Sequence, residues 1–116
     1  MATSRSPSKT GWTAGAFVFS GRPDPTWPLT DETATRLERI WASLGDLESE
    51  APVPPLLGYR GCFAQDQEGR LWTAFGGAVT LTESGRTSAR RDDARAFERS
   101  LLASAPAGSL PPELER

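Results

Sequence analysis

The chain has no histidine and only one cysteine, Cys62, in 116 residues. An intrachain disulfide is therefore excluded, and so is a zinc site of the usual Cys/His kind. A cysteine nucleophile needs a base or a nearby positive charge to favour its thiolate, and no imidazole exists to provide one. Only Arg60, two residues away on the same strand face, could help Cys62. A small buried thiol is the commoner role for such a residue. Long hydrophobic runs are also missing: no 18 consecutive apolar residues occur, so no membrane-spanning helix is expected. Residues 1–10 lack the apolar segment of a secretory signal, which makes a cytoplasmic protein the expectation. Lysine is nearly absent too. Of 13 basic residues only Lys9 is lysine, as in proteins from bacteria with high-GC genomes. With 15 acidic residues the net charge is −2, and nucleic-acid binding, which needs a concentrated positive field, is not expected.

Glycine and proline are plentiful, at 11 and 10 residues. The apolar share is 37 %, modest for a globular protein. The length suits one domain, expected over residues 12–108, between a disordered tail (1–11) and a loosely held C-terminal segment (109–116).

Residues 16–47 organise the rest. Ala16, Phe17, Val18 and Phe19 read as a strand. Ser20 and Gly21 end it. Pro23, Pro25 and Pro28 then stiffen a loop that could hold Arg22, Asp24 and Trp27 in a fixed arrangement. Thr30 is the expected N-cap of a helix over 31–44, with Asp31 and Glu32 at the positive end of its dipole. Ala34, Leu37, Ile40, Trp41 and Leu44 form its apolar stripe, and Gly45 is placed to stop it. Phe19 and Trp41 are expected in the core, where truncation to alanine costs about 3–5 kcal/mol.

A long acidic, then proline-rich, loop follows, either a packed arm or a mobile lid. Residues 59–65 and 70–75 form a predicted hairpin around the turn 66–69. Gly76 and Gly77 mark a bulge or a close approach, after which 78–82 continues as the same strand or as a separate fourth one. Residues 83–88 read as a surface turn, and a second helix is predicted over 90–104. The order strand, helix, hairpin, possible further strand, helix predicts an α+β fold. Its small, mostly antiparallel sheet would have three or four strands, both helices on one face, and room for one parallel pair.

Candidate chemistry is sparse. Ser20, Gly21 and Arg22 could receive an anion, and Arg22 with Arg60 could line a pocket for a small anionic ligand; equally, Arg22 could pair with Asp24 and lock the turn. No nucleotide-binding glycine pattern occurs. The carboxylates Asp24, Glu32, Asp66 and Glu68 show no spacing that singles out an acid–base pair. Trp27 either caps the core or stands out as an anchor. Trp72 either joins the core or, with Arg60, Cys62 and Ala74, lies on the sheet face away from the helices. Asp24, Arg22, Trp27, Arg60 and Trp72 are thus the candidate binding residues, with no catalytic residue, metal or cofactor expected. The leading expectation is a small non-catalytic binding protein that engages another protein through the 22–27 loop and the hairpin. The alternatives are an anionic-ligand binder or enzyme, and a homodimer formed through the open sheet face.

Overall fold

The computed structural model describes residues 11–18, 23–55 and 58–111; residues 1–10, Phe19, Arg22, Leu56, Leu57 and residues 112–116 are among those outside it. In chain order the elements are β1 (Thr13–Ala16), β2 (Thr26–Pro28), α1 (Asp31–Ser43), β3 (Cys62–Gln65), β4 (Leu71–Phe75), β5 (Ala78–Glu83), β6 (Arg86–Arg91), a 3-10 turn (Asp93–Arg95) and α2 (Ala96–Ala103). The strands form one sheet in the order β2-β1-β3-β4-β5-β6, and every neighbouring pair is antiparallel. The class is α+β, as the element pattern predicts, but the sheet has six strands rather than three or four. Among the described residues no helix is long and apolar enough to cross a membrane.

The differences from expectation have local causes. The first strand starts three residues earlier than Ala16, because Thr13 and Ala14 pair with both neighbouring strands. The proline-rich segment is no mere loop. Thr26, Trp27 and Pro28 add an edge strand to β1, and an edge is where proline is tolerated in a sheet. This hairpin also removes the expected parallel pair, since β1 meets β3 antiparallel. Gly76 and Gly77 form a two-residue turn, with φ of 61° and 90°, so β5 is a separate strand. Ser84 and Gly85, with φ of 52° and 78°, make a second such turn. Both turns have positive φ at the two central positions, the geometry that matches strand twist. The chain therefore continues as β6 where a surface turn and the start of a helix were expected. The helix α2 begins only at Ala96.

Helix α1 follows its sequence signals closely. The Thr30 hydroxyl accepts from the Thr33 N–H at 3.1 Å, and Asp31 and Glu32 occupy the first turn. Its end differs. Leu44 is the cap, extended, with its N–H on the Trp41 carbonyl. Gly45 is not left-handed; its carbonyl instead accepts from the Arg91 N–H at 2.8 Å. A Cβ at Gly45 would lie 3.3 Å from the Arg91 guanidinium, so glycine lets the chain approach β6.

Both helices bury into one core cluster with Ala14, Ala16, Cys62, Ala64, Trp72, Ala74 and Val79 of the sheet. Trp72 therefore lies under the helices, 1 % exposed, and stacks on Trp12 at 4.9 Å between ring centroids. This settles Trp72 as core and corrects the expected placement of Cys62 and Ala74 on the open face: β3 and β4 alternate as expected, but the opposite face is the buried one. Small alanines on three adjacent strands leave the space that the indole rings occupy. Leu110 is also buried in this core, so the C-terminal segment begins as packed chain. Trp41 is only partly buried, with the Arg90 guanidinium 4.2 Å above its ring.

These placements rank the tryptophans. Trp72→Ala should cost about 3–5 kcal/mol, and Trp41→Ala about 1–3 kcal/mol, less than its expected core role implied. Urea unfolding of the two variants checks the order; equal losses would contradict the packing described.

Candidate functional site

The unusual residues of the organising stretch converge at one end of the sheet. There β1 runs on into Phe17 and Val18, and three segments meet it. The Phe17 N–H donates to the Gly61 carbonyl at 2.8 Å, and the Arg60 N–H donates to the Phe17 carbonyl at 2.7 Å. The Ala16 N–H reaches the Pro25 carbonyl at 3.3 Å. Asp24 closes the proline-rich turn by accepting from the Val18 N–H at 2.8 Å. Gly61 sits at φ 110°, and a Cβ there would lie 2.9 Å from the Ala74 carbonyl oxygen, so a side chain is excluded on both counts.

Of the candidate residues, Asp24 and Arg60 are brought together. Arg60 Nη2 lies 3.8 Å from Asp24 Oδ1, with both side chains between a quarter and a third exposed. Such a pair contributes about 0–1 kcal/mol. It also means that an anion approaching Arg60 must compete with Asp24. Trp27 is 3 % exposed, and its Nε1–H donates to the Ser104 hydroxyl at 2.9 Å, tying β2 to the end of α2. Trp27 and Trp72 are thus both core in the free chain. Arg22 lies outside the described residues.

Beside the Asp24–Arg60 pair is a cluster that the sequence reading missed. Glu98 is fully buried. Its carboxylate accepts a bidentate pair from Arg95, at 3.0 and 2.9 Å, and a further hydrogen bond from the Tyr59 hydroxyl. Asp92, 2 % exposed, accepts from the N–H groups of Phe97 and Glu98 at 2.9 and 3.1 Å. It therefore caps α2 from several residues upstream. Between them Ala94 and Arg95 are both left-handed, with φ of 55°. That conformation is costly for residues with a Cβ and persists only where the surroundings impose it. The capping carboxylate and the Arg95–Glu98 fork impose it here.

The Cys62 thiol lies within this cluster, 4.0 Å from the Ala74 and Glu98 carbonyl oxygens. Burial pushes its pKa up to about 12, the Tyr59 hydrogen bond opposes this, and the negative Glu98 adds to it. Burial likewise pushes the Tyr59 hydroxyl well above its ordinary value, with Cys62 and Glu98 contributing. A thiol held protonated is a poor nucleophile. Both Glu98 oxygens are already engaged, by Arg95 and Tyr59.

At the opposite end of the β3–β4 hairpin, Asp66 organises the turn. It accepts from the Glu68 and Arg70 N–H groups at 3.0 and 2.8 Å, and from Arg70 Nε at 2.6 Å. Burial alone would raise its pKa, but the Arg70 donors outweigh burial and hold it below the usual carboxylate range. This is turn chemistry, as the sequence suggested. No cluster of three or more thiol or carboxylate ligands suited to a metal ion forms among the described residues. The grooves found there are open. One of about 690 Å³ is lined by Leu81, Glu83, Ser84, Arg86, Thr87 and Ser88. Another of about 580 Å³ lies along Asp31, Glu32, Thr35, Arg36 and Arg39. Neither includes Asp24 or Arg60.

The other face of the sheet carries a different surface. The register puts Gly15, Phe63, Thr73 and Thr80 side by side across four strands on the face away from the helices. The Phe63 ring covers Gly15, where a Cβ would lie 2.5 Å from it. Phe17 stacks on Phe63 at 5.4 Å, and Tyr59 meets Phe75 at 6.1 Å. Phe17, Phe63, Leu71 and Phe75 are all half-buried, not closed over. Among the strand residues on this face, only Arg91 at the far corner is charged.

Comparison with protein-family models, with curated proteins and with solved structures returns no match to this chain.

The raised thiol and phenol values fix a pH dependence. Each group stays protonated in the folded chain after it would have ionised in the unfolded one, so each contributes stability that is intact below pH 9 and is lost as pH rises. The loss should reach up to about 1.4 kcal/mol per pH unit for each group. Melting temperature measured from pH 8 to 11 should fall. Cys62→Ala should flatten the lower part of that fall, and Tyr59→Phe the part above pH 10. In addition, Arg95→Ala should cost about 3–5 kcal/mol, because it leaves the Glu98 charge buried with only Tyr59 to compensate it.

Proposed function

We propose that the protein is a small non-catalytic binding module that engages another protein through the uncovered face of its sheet. The observation that carries this reading is the uncharged aromatic patch of Phe17, Phe63 and Phe75, left half-buried by a fold whose helices both lie on the opposite side. A weakly polar centre with charge confined to the margin is the composition of a protein-binding surface. The polar margin includes the Asp24–Arg60 pair at one end. The contact surface thus keeps the hairpin and the stiff loop of the original expectation, but with Phe63 and Phe75 in place of Trp27 and Trp72. The buried, protonated Cys62 and the fully engaged Glu98 support a role without catalysis. One unpaired cysteine and no disulfide fit a reducing, cytoplasmic setting of bacterial type.

The test compares wild type with Thr73→Glu and Phe75→Ser in affinity capture from lysate of the producing organism, with melting curves and solution mass on the same samples. Thr73→Glu puts a charge at the centre of the face and should cost about 1–2 kcal/mol, which the melting curve reads separately from binding. Capture of the same protein by wild type, reduced at least about tenfold in both folded variants, is expected. Undiminished capture by both would overturn the surface. A concentration-dependent dimer dissociated by Thr73→Glu would replace an unlike partner with a second copy of the chain.

A further inference from the structure

Residues 48–55, between α1 and β3, belong to no strand or helix, and the aromatic face does not use them. They are not the packed arm that was one expectation for this stretch, because all eight are exposed. Ala51, Pro52, Val53, Pro54 and Pro55 thus form an unbroken apolar run in solvent. Val53 is 89 % exposed, and no other large apolar side chain among the described residues is left so open. A single exposed apolar side chain is ordinary, but a consecutive run of them at a surface signals a function.

The run is also stiff. Pro52, Pro54 and Pro55 fix φ at three positions, and Ala51, Val53 and Pro54, each preceding a proline, are held extended. No turn or bend interrupts residues 50–55. Extended chain with repeated proline is the polyproline II conformation, whose backbone stays open to solvent. The segment is moored on both sides. Upstream, the Gly45 carbonyl accepts from the Arg91 N–H at 2.8 Å, and Asp46 bridges to Arg90. Pro52 lies against the turn between β4 and β5, where a Cβ on Gly76 would come 3.1 Å from the Pro52 Cγ. Downstream, the Tyr59 hydroxyl donates to the buried Glu98. Holding the segment out in this way removes part of the ordering cost that a free peptide meets on binding.

The composition says what can take it up. Three of the five residues carry no N–H, so the run cannot serve as a strand in another sheet. It carries no charge for a phosphate or a nucleic acid. What it offers is proline rings, a valine and outward carbonyls. Chain of this kind, with prolines three positions apart at Pro52 and Pro55, is read by grooves walled with aromatic rings. Exposed Glu48 and Glu50 lead into it, and Glu50 has no ion pair within 4.0 Å among the described residues. A groove with a basic rim complements that flank.

We propose that residues 51–55 are a recognition segment, taken up as a polyproline II ligand by a partner protein whose groove is walled by aromatic rings and rimmed by basic groups. The segment is a surface separate from the aromatic face, and this role goes beyond the binding role proposed there.

The probe is the full chain carrying Val53→p-benzoylphenylalanine, a photoreactive substitution, irradiated in lysate of the producing organism. The expected product is a cross-link to one unlike protein, mapped by mass spectrometry to a groove lined by at least two aromatic side chains. That protein, purified, should bind wild type saturably. Val53→Asp should weaken this binding at least about tenfold. Pro54→Gly, which frees the backbone, should weaken it about three- to tenfold. Both positions are exposed, so both variants should melt close to wild type. A synthetic peptide of residues 49–55 should compete for the same groove. Thr73→Glu should cross-link through position 53 as wild type does, which separates failure here from failure of the aromatic-face reading. No cross-link, a cross-link scattered over many proteins, a cross-linked pair of this chain, or binding unchanged by Val53→Asp would overturn the proposal.

Discussion

The carboxylate of Glu98 is the constraint on which one end of this molecule depends. It is fully buried, and a buried charge is tolerated only where donors surround it. Meeting that demand fixes three separate parts of the chain. Arg95 must fold back over the start of α2, which requires the left-handed turn at Ala94 and Arg95. Tyr59 must direct its hydroxyl inward, which sets the path of residues 58–61 into β3. That path in turn offers the Gly61 carbonyl and the Arg60 N–H to Phe17, holding the extension of β1. Asp92 completes the arrangement by capping α2 from the end of β6. A local anchor between a helix and a strand therefore reaches into both loops that flank the Asp24–Arg60 pair.

Much of the fold was legible because the informative residues act locally. Thr30 with Asp31 and Glu32, the turn acid Asp66 with Gly69, and the stripe of α1 each carry their physics within a few residues. Strand β6 was not legible. Arg86, Thr87, Ser88, Ala89, Arg90 and Arg91 show no apolar alternation, because an edge strand at the margin of the helices buries little on either face. It forms because Ser84 and Gly85 turn it back onto β5, a tertiary effect that outweighs its weak propensity. The buried phase of β3 and β4 was inverted for a related reason. Simple alternation puts Arg60 and Cys62 on one face, yet Arg60 is partly exposed and Cys62 is fully buried. Gly61, left-handed, breaks that alternation just before Cys62. The Glu98 cluster was hidden because a single glutamate on a helix is ordinarily solvated. Its partners lie 39 residues away at Tyr59 and three away at Arg95.

The sheet faces differ in chemistry as much as in cover. Beneath the helices, alanines alternate with large rings, so the core is close-packed around the Trp12–Trp72 stack. On the far side, threonines and half-buried phenylalanines line the strands with hardly a charge between them. The same polypeptide thus presents a finished interior on one side and an unfinished one on the other. Among the described residues the buried carboxylates Asp66, Asp92 and Glu98, by contrast, all have partners on the protein itself.

The pairing of β1 with β3 spans the whole of β2, α1 and the proline-rich arm, while β3 to β6 are joined by tight turns alone. Closing a long loop costs entropy before any contact rewards it, whereas adjacent hairpins form with little delay. The meander from Cys62 to Arg91 is accordingly the natural first structure, with β1 and β2 joining once α1 has come to rest. During synthesis this reverses the order in which the chain emerges. The early strands must wait for the late ones, and until Trp72 appears Trp12 has no ring to stack against.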